Sequence, residues 1–148
     1  MVWGCGIVNS MYPPTWVDTV TILNKLDGRD SMTRLDTWKK TVLQNCFFKT
    51  QNMRTINGTS ASVAQSTICR IPRSEDYHPY SVWKNDISDG WTLSPGDYII
   101  LGEVAEDVTA DNVAAVAARH KPDAMLVRAV SLNTKLHGMA EHYRAEGV

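Results

Sequence analysis

Two places in the chain bring proton-handling or metal-ligating side chains close together. Asp76 and His78 lie in one turn-rich segment, and His137, Glu141 and His142 follow one another further on. A metal ion needs three or four converging ligands, and around His78 the neighbours that could join it are carboxylates in the same turn-rich stretch. The second set lacks the i, i+4 pairing of a His-Glu-x-x-His helix, and Gly138 weakens a helix there. Both sets read as surface or structural histidines. Cys5, flanked by Gly4 and Gly6, could present a thiolate, but no base or cation adjoins it in sequence to activate it. Nucleophile elbows, phosphate-binding glycine loops and dinucleotide fingerprints are absent from the sequence. The expectation is a protein that is not an enzyme, with no metal and no cofactor.

Composition sets the frame in which other roles must fit. The chain has 148 residues, of which 43% are hydrophobic and 21% charged, which suits one ordinary domain with a real core. Fifteen basic against sixteen acidic residues, with no run of like charge, argue against free-standing nucleic-acid binding through a phosphate-neutralising patch and give no reason to expect a membrane partner. Cys5, Cys46 and Cys69 are too widely spaced for a zinc or redox motif and read as inert thiols of a reducing compartment. Asn57-Gly58-Thr59 matches a glycosylation sequon but is read as a turn. The stretch from Met1 to Met11 lacks a basic n-region and is broken by glycines, so it is expected to be neither a signal peptide nor a membrane span.

The elements are mainly β. Residues 1–16 hold Gly4, Gly6, Pro13 and Pro14, which oppose helix and favour an extended arm. Its Trp3, Ile7, Val8 and Trp16 are costly to leave in water, so the arm is expected to dock on its own domain or on a neighbouring subunit. Residues 17–148 then read as one domain. Val17 to Asn24 is a strand with β-branched residues on both faces, hence covered on both sides. Trp38 to Lys49 is a second strand, interrupted at Gln44-Asn45 by a bulge or bend that curls it around a small barrel. Thr50 to Ser62, including Met53, Arg54, Thr55, Ile56, Asn57, Gly58 and Thr59, is polar enough to be a long loop, either functional or a solvated hairpin tip. Val63 to Ile71 is a third strand, ended by Pro72. Arg73 to Gly90 reads as an excursion pinned by Tyr77, Tyr80 and Trp83, after which Trp91 to Leu93 resumes the sheet. Pro95-Gly96 then turns the chain into a strand at Tyr98 to Leu101, expected to hold the core together.

Beyond Gly102 the period lengthens to that of a helix. Thr109 or Asp111 could cap it, Val113, Ala114, Val116 and Ala117 share one side, and Pro122 stops it. Met125 to Leu132 returns to strand, with Leu126, Arg128, Val130 and Leu132 alternating against Val127, Ala129 and Ser131. His142 to Val148 is a short last strand or a tail.

The order of four stretches carries a family resemblance: Asp18-Thr19-Val20-Thr21-Ile22, then Trp38-Lys39-Lys40-Thr41-Val42-Leu43, then Ile71-Pro72, then Pro95-Gly96-Asp97-Tyr98-Ile99-Ile100-Leu101-Gly102. Together they resemble the small minor capsid or head-closure proteins of long-tailed phages. The resemblance implies a small β-barrel with one α-helix and long loops, assembled as a homo-oligomeric ring in the neck of the virion. Such a ring joins the portal or an adaptor to the tail and retains packaged DNA, which passes through the channel without sequence-specific binding. Within it, the Thr50 to Ser62 segment is the one that could face the channel. An adaptor ring and a tail-terminator ring are alternatives within the same neck. Outside that class stands a small ligand- or peptide-binding barrel, with Tyr77, Tyr80, Trp83 and Trp91 lining a pocket.

Overall fold

The strand with β-branched residues on both faces runs from Asp18 to Leu26 (β1), and it lies between two apolar layers. Val20 and Ile22 point into a barrel interior shared with Cys46, Cys69, Ile71, Ile99, Met125, Val127, Tyr143 and Ala145. Leu23 points the other way, into a layer with Ile100, Val104, Val113, Val116 and Ala124. A strand's side chains alternate between faces, so both faces must be apolar where both are covered. The computed structural model that shows this describes residues 12–135 and 140–148, and leaves aside the side chains of 53–55, 57 and 62–64.

Five further strands follow: β2 (Thr37–Asn57), β3 (Ser60–Pro72), β4 (Tyr98–Leu101), β5 (Ala124–Asn133) and β6 (His142–Gly147). Every neighbouring pair is antiparallel, and the order β1-β2-β3-β6-β5-β4 closes a barrel. The mainly β, barrel-forming reading of the sequence is thus what the chain adopts.

Two strands turn corners of the barrel, and each does so through an irregularity. β2 pairs with β1 up to Cys46 and with β3 from Phe47 onward, and its register slips between Asp18 and Val20. Asn45, in the left-handed region at φ 60°, makes this corner, at the place where Gln44-Asn45 breaks the alternation. β5 pairs first with β4 and then with β6, and slips between Val127 and Ala129. The slip shifts the phase of β5, so Val127 and Val130 both pack on the barrel interior. The unbroken alternation expected over Met125 to Leu132 is therefore corrected.

The helix covers Val113–Arg119 and buries Val113, Val116 and Ala117, while Ala114 faces solvent rather than sharing that side. Its start is organised by Asn112, not by Thr109 or Asp111. Asn112 Oδ1 accepts from the Thr109 N–H at 2.7 Å, and its Nδ2 donates to the Asp107 carbonyl at 2.8 Å. Trp91 makes an isolated parallel bridge to Tyr77, and Thr92 and Leu93 are buried outside any strand, so the sheet does not resume there.

Ser94 to Asp97 forms a turn closed by an Asp97 N–H to Ser94 C=O bond of 3.1 Å, with Gly96 at φ 100°. Positive φ at the third position is what a type II turn requires, and Gly supplies it without a steric cost. The Asp97 carboxylate, only 1% exposed, accepts from the Lys25 N–H at 3.0 Å, Asn24 Nδ2 at 2.9 Å and the Ser94 N–H at 2.9 Å. It thereby pins the turn before β4 to the end of β1. Burial pushes its carboxyl up to about 6, against the pull of those three donors. Within β4, Ile99 fills the barrel and Ile100 the layer under the helix, whereas Tyr98 and Leu101 are half-buried.

Candidate assembly surfaces

The segment expected to be a loop is the outer part of a hairpin. β2 and β3 pair continuously from Phe47 opposite Arg70 to Asn57 opposite Ser60, leaving Gly58 and Thr59 as a two-residue turn. Gly58 occupies the first turn position at φ 63°, as such tight hairpin turns require. β6 accompanies β3 only as far as Thr67, opposite Gly147. Beyond it, Gln51–Asn57 and Ser60–Ser66 are paired only with each other among the described residues, so a two-stranded ribbon stands out from the barrel. Seven residues per strand give it a reach of roughly 23 Å. Met53, Arg54, Thr55, Ile56 and Asn57 lie on its first strand and Gly58 and Thr59 at its tip, and Ile56 is exposed.

At the opposite flank, the chain before β1 is fastened to the domain. The Tyr12 hydroxyl donates to the Glu141 carbonyl at 2.9 Å, and the Tyr12 ring stacks on Trp16 with centroids 5.4 Å apart. Trp16 in turn meets the edge of the His142 ring at 5.4 Å and is buried. His142 is engaged through Nδ1 with the Ala140 carbonyl at 2.9 Å and through Nε2 with Asn133 at 3.2 Å. Trp16 is therefore docked on its own domain, one of the two placements expected for the arm. Trp3, Ile7 and Val8 lie outside the described residues.

A cleft of about 450 Å³ opens beside this fastening. It exists because β2 pairs with β3 only from Phe47 onward, so the bend at Leu43 to Asn45 stands apart from the Ile71 to Ser74 end of β3. Trp16, Val17, Leu43, Ile71 and Trp91 supply apolar walls, and Val17 is 71% exposed. Trp91 is buried, and its indole N–H has no acceptor among the described residues.

The four aromatics of the ligand-binding alternative do not share a pocket. Tyr77 stacks on Tyr143 at 4.3 Å and meets Trp91 at 5.2 Å, a cluster that belongs to the barrel core. Trp83 is buried in the single helical turn Tyr80–Trp83. Tyr80 belongs to a separate polar groove with Lys25, Asp27 and Arg29, where its hydroxyl donates to Asp30 at 2.8 Å and accepts the Asp27 N–H at 3.1 Å. His78 faces Asp89 at 3.8 Å, and no group of three metal-ligating side chains occurs among the described residues. His137 and Cys5 lie outside them. Burial pushes the Cys46 thiol up to about 12, with Asp18 adding to the shift, and raises Cys69 well above its usual range. Those two thiols are unreactive at neutral pH.

One surface feature had no counterpart in the sequence reading. Between β1 and β2, Met32 is fully exposed and Leu35 is 69% exposed, on a loop that is nevertheless ordered by its own hydrogen bonds. The Arg34 N–H donates to the Ser31 carbonyl at 3.2 Å, the Thr33 N–H to Ser31 Oγ at 3.3 Å, and the Gly28 N–H to Asp36 Oδ1 at 2.8 Å. Arg34 itself stands in the left-handed region at φ 62°. Two large apolar residues among polar ones, just after Asp27-Gly28, were the available signal.

Residues 15–148 match the model of a protein family described as a family of unknown function, DUF6751. No curated protein and no solved structure matches the chain.

Proposed function

The chain belongs to the DUF6751 family, and on that premise we propose that it is a structural ring subunit of a long-tailed phage head-tail connector. The head-closure type is the first choice, with adaptor and tail terminator as variants of the same role. The observation that carries this reading is the ribbon Gln51–Asn57 and Ser60–Ser66, which extends roughly 23 Å from a closed barrel without a further strand beside it among the described residues. A two-stranded ribbon is marginal in water by itself. Contact with other copies or with a neck partner supplies what it lacks.

Composition supports the same role. Between Gln51 and Ser66 the only charged residue is Arg54. A ring lined by such ribbons attracts phosphate weakly and lets DNA pass, while their bulk narrows the channel. The motif order that resembles head-closure proteins supports the same reading, a place in the neck of the virion between portal or adaptor and tail. The reading assigns no catalytic residue, cofactor or metal. The alternative of a ligand- or peptide-binding barrel keeps only Trp91 of its four aromatics beside the larger cleft, and is the weaker one.

Excision of Asn52 to Gln65, with the strands rejoined through a two-residue turn, tests the role. The barrel should still fold, because both cores lie below the cut. Particles carrying the excised chain should lose packaged DNA or fail to join tails. Normal infectivity with the excised chain would remove the ribbon from any role in the neck.

A further inference from the structure

We propose that the outer face of the barrel wall formed by β2, β3, β6 and β5 receives the acidic stretch Glu103 to Asp111 of a second copy of this chain. The inference rests on the ring reading and names the contact between its subunits.

The fold assembles a basic face from distant parts of the sequence. Cys46 and Phe48 of β2, Cys69 and Ile71 of β3, and Tyr143 and Ala145 of β6 pack on the barrel interior, so the residues alternating with them face outward. Phe47 stands opposite Arg70 and Arg70 opposite Arg144, while Lys49 stands opposite Ile68 and Ile68 opposite Glu146. Arg128, the extra residue at the slip in β5, is exposed next to the pairing of Ala129 with Glu146. Four cations thus share this wall with one carboxylate. Glu146 is taken by Arg144, whereas Lys49, Arg70 and Arg128 form no ion pair among the described residues. The Arg70 guanidinium is held over the Phe47 ring, 5.5 Å from its centroid.

The matching charge stands on the opposite wall. From Gly102 to Ala118 the chain carries four acidic residues and no basic one. Glu103, Glu106, Asp107 and Asp111 are all exposed, and among the described residues only Glu106 is paired, with Arg119 at 4.0 Å and His120 at 3.5 Å. The stretch is fixed in place. Lys40 Nζ donates to the Val104 carbonyl at 2.9 Å and the Glu106 carbonyl at 3.2 Å, and Val104 is buried with Leu23 and Ile100 in the layer outside β1 and β4.

Charge and placement together choose the occupant. An acidic peptide or a nucleic acid would meet the basic face alone, whereas a second copy satisfies both patches of the same molecule. β2 leaves the β1 wall at Asn45 before it reaches the basic face, so the patches lie on opposite sides of a closed barrel and one copy cannot bring its own together. A contact between two different patches on identical chains is heterologous, and it generates a ring when the rotation closes. Three strand spacings spread the cations over roughly 14 Å. That is close to the screening length at about 0.05 M salt and several times the length at about 1 M, so the contact weakens as salt rises.

The test uses the full chain and reverses charge at exposed positions. Lys49→Glu with Arg128→Glu makes both patches acidic, and Glu103→Lys with Asp107→Lys makes both basic. Each double variant should keep its melting temperature and self-associate at least about tenfold more weakly than the wild type by sedimentation at low salt. An equimolar mixture of the two should associate again, because each then offers what the other lacks. Unchanged association of either variant, or a mixture that fails to associate, would overturn this contact and leave the ring reading standing. Duplex DNA of mixed sequence serves as the competing probe. Wild-type binding to it that is lost in the Lys49, Arg128 variant, with self-association unchanged, would overturn the contact and give the face to phosphate. A wild-type chain that stays monomeric at every concentration at low salt also overturns the contact, and its failure to assemble on a portal ring would sink the ring reading as well.

Discussion

Replacing Asp97 by Asn should cost the fold less as pH rises. The Asp97 carboxyl titrates at about 6 in the folded protein against an ordinary value of 3.8, because burial outweighs its three N–H donors. The native state thus holds this proton more tightly than the unfolded chain does. The stability it confers is fully present below pH 3.8 and is lost as pH rises through 6. A displacement of that size corresponds to about 3 kcal/mol, a large share of the roughly 5–15 kcal/mol that stabilises a typical domain. Asparagine does not titrate, so the variant lacks this decline. Its amide also turns an NH2 group toward donors that a carboxylate accepted, either the Lys25 N–H or the Asn24 and Ser94 pair. Each donor left without an acceptor costs about 1–3 kcal/mol, independent of pH over this range. The destabilisation caused by Asp97→Asn should therefore shrink by roughly 2.4 kcal/mol between pH 4 and pH 7, the remainder of the change falling below pH 4. Urea unfolding of both proteins across that range measures it. The exposed carboxylates Asp27 and Asp86, whose hydrogen bonds hold them below their usual range, act with the opposite slope but cancel in the difference. A constant difference refutes the claim that burial dominates at Asp97. A difference that grows with pH reverses it and makes the three donors the stronger influence.

Three substitutions test the packing. A Cβ on Gly147 would overlap the Leu126 carbonyl, so Gly147→Ala should force β6 away from β5 and cost on the order of 3 kcal/mol by denaturant unfolding. Ile99→Ala and Ile100→Ala should each cost about 2–5 kcal/mol. They should differ in where hydrogen exchange quickens: in β6 for Ile99, which faces Tyr143 and Ala145, and in the Val113–Arg119 helix for Ile100. Equal loosening of both regions by both variants would mean that the two cores are one.

Much of the scaffold was legible because its signals are local. The doubly apolar pattern of β1, the Pro95-Gly96 turn and the helical spacing after Asn112 each lie within a short window, and each stands where the pattern put it. The corner at Asn45 was legible for the same reason, as one residue that breaks an alternation. The ribbon was not, because Gln51 to Ser66 carries no regular alternation of apolar and polar residues, and only Asn57-Gly58 betrayed the turn. The phase shift in β5 was hidden because a bulge at Arg128 changes which face a residue occupies without changing the residue types around it. The cleft was beyond reach altogether. Trp16, Leu43, Ile71 and Trp91 meet only through the pairing of β1, β2 and β3 and the return of the chain after Gly90. Trp16 illustrates the limit: its cost in water was plain, but its choice of His142 as a partner depended on where β6 begins.

The position of β6 has a consequence for how the protein is made. It is sixth in order of synthesis yet stands between β3 and β5, pairing Cys69 with Ala145 and Val130 with the same residue. Until residue 147 has left the ribosome, the growing chain is an open sheet whose β3 and β5 edges carry unpaired backbone groups and an uncovered apolar interior. Such edges recruit strands from other chains, and contacts that span more than seventy residues form slowly. The period between emergence of β5 and insertion of β6 is thus the moment when nascent copies, crowded on one messenger, are most prone to pair wrongly.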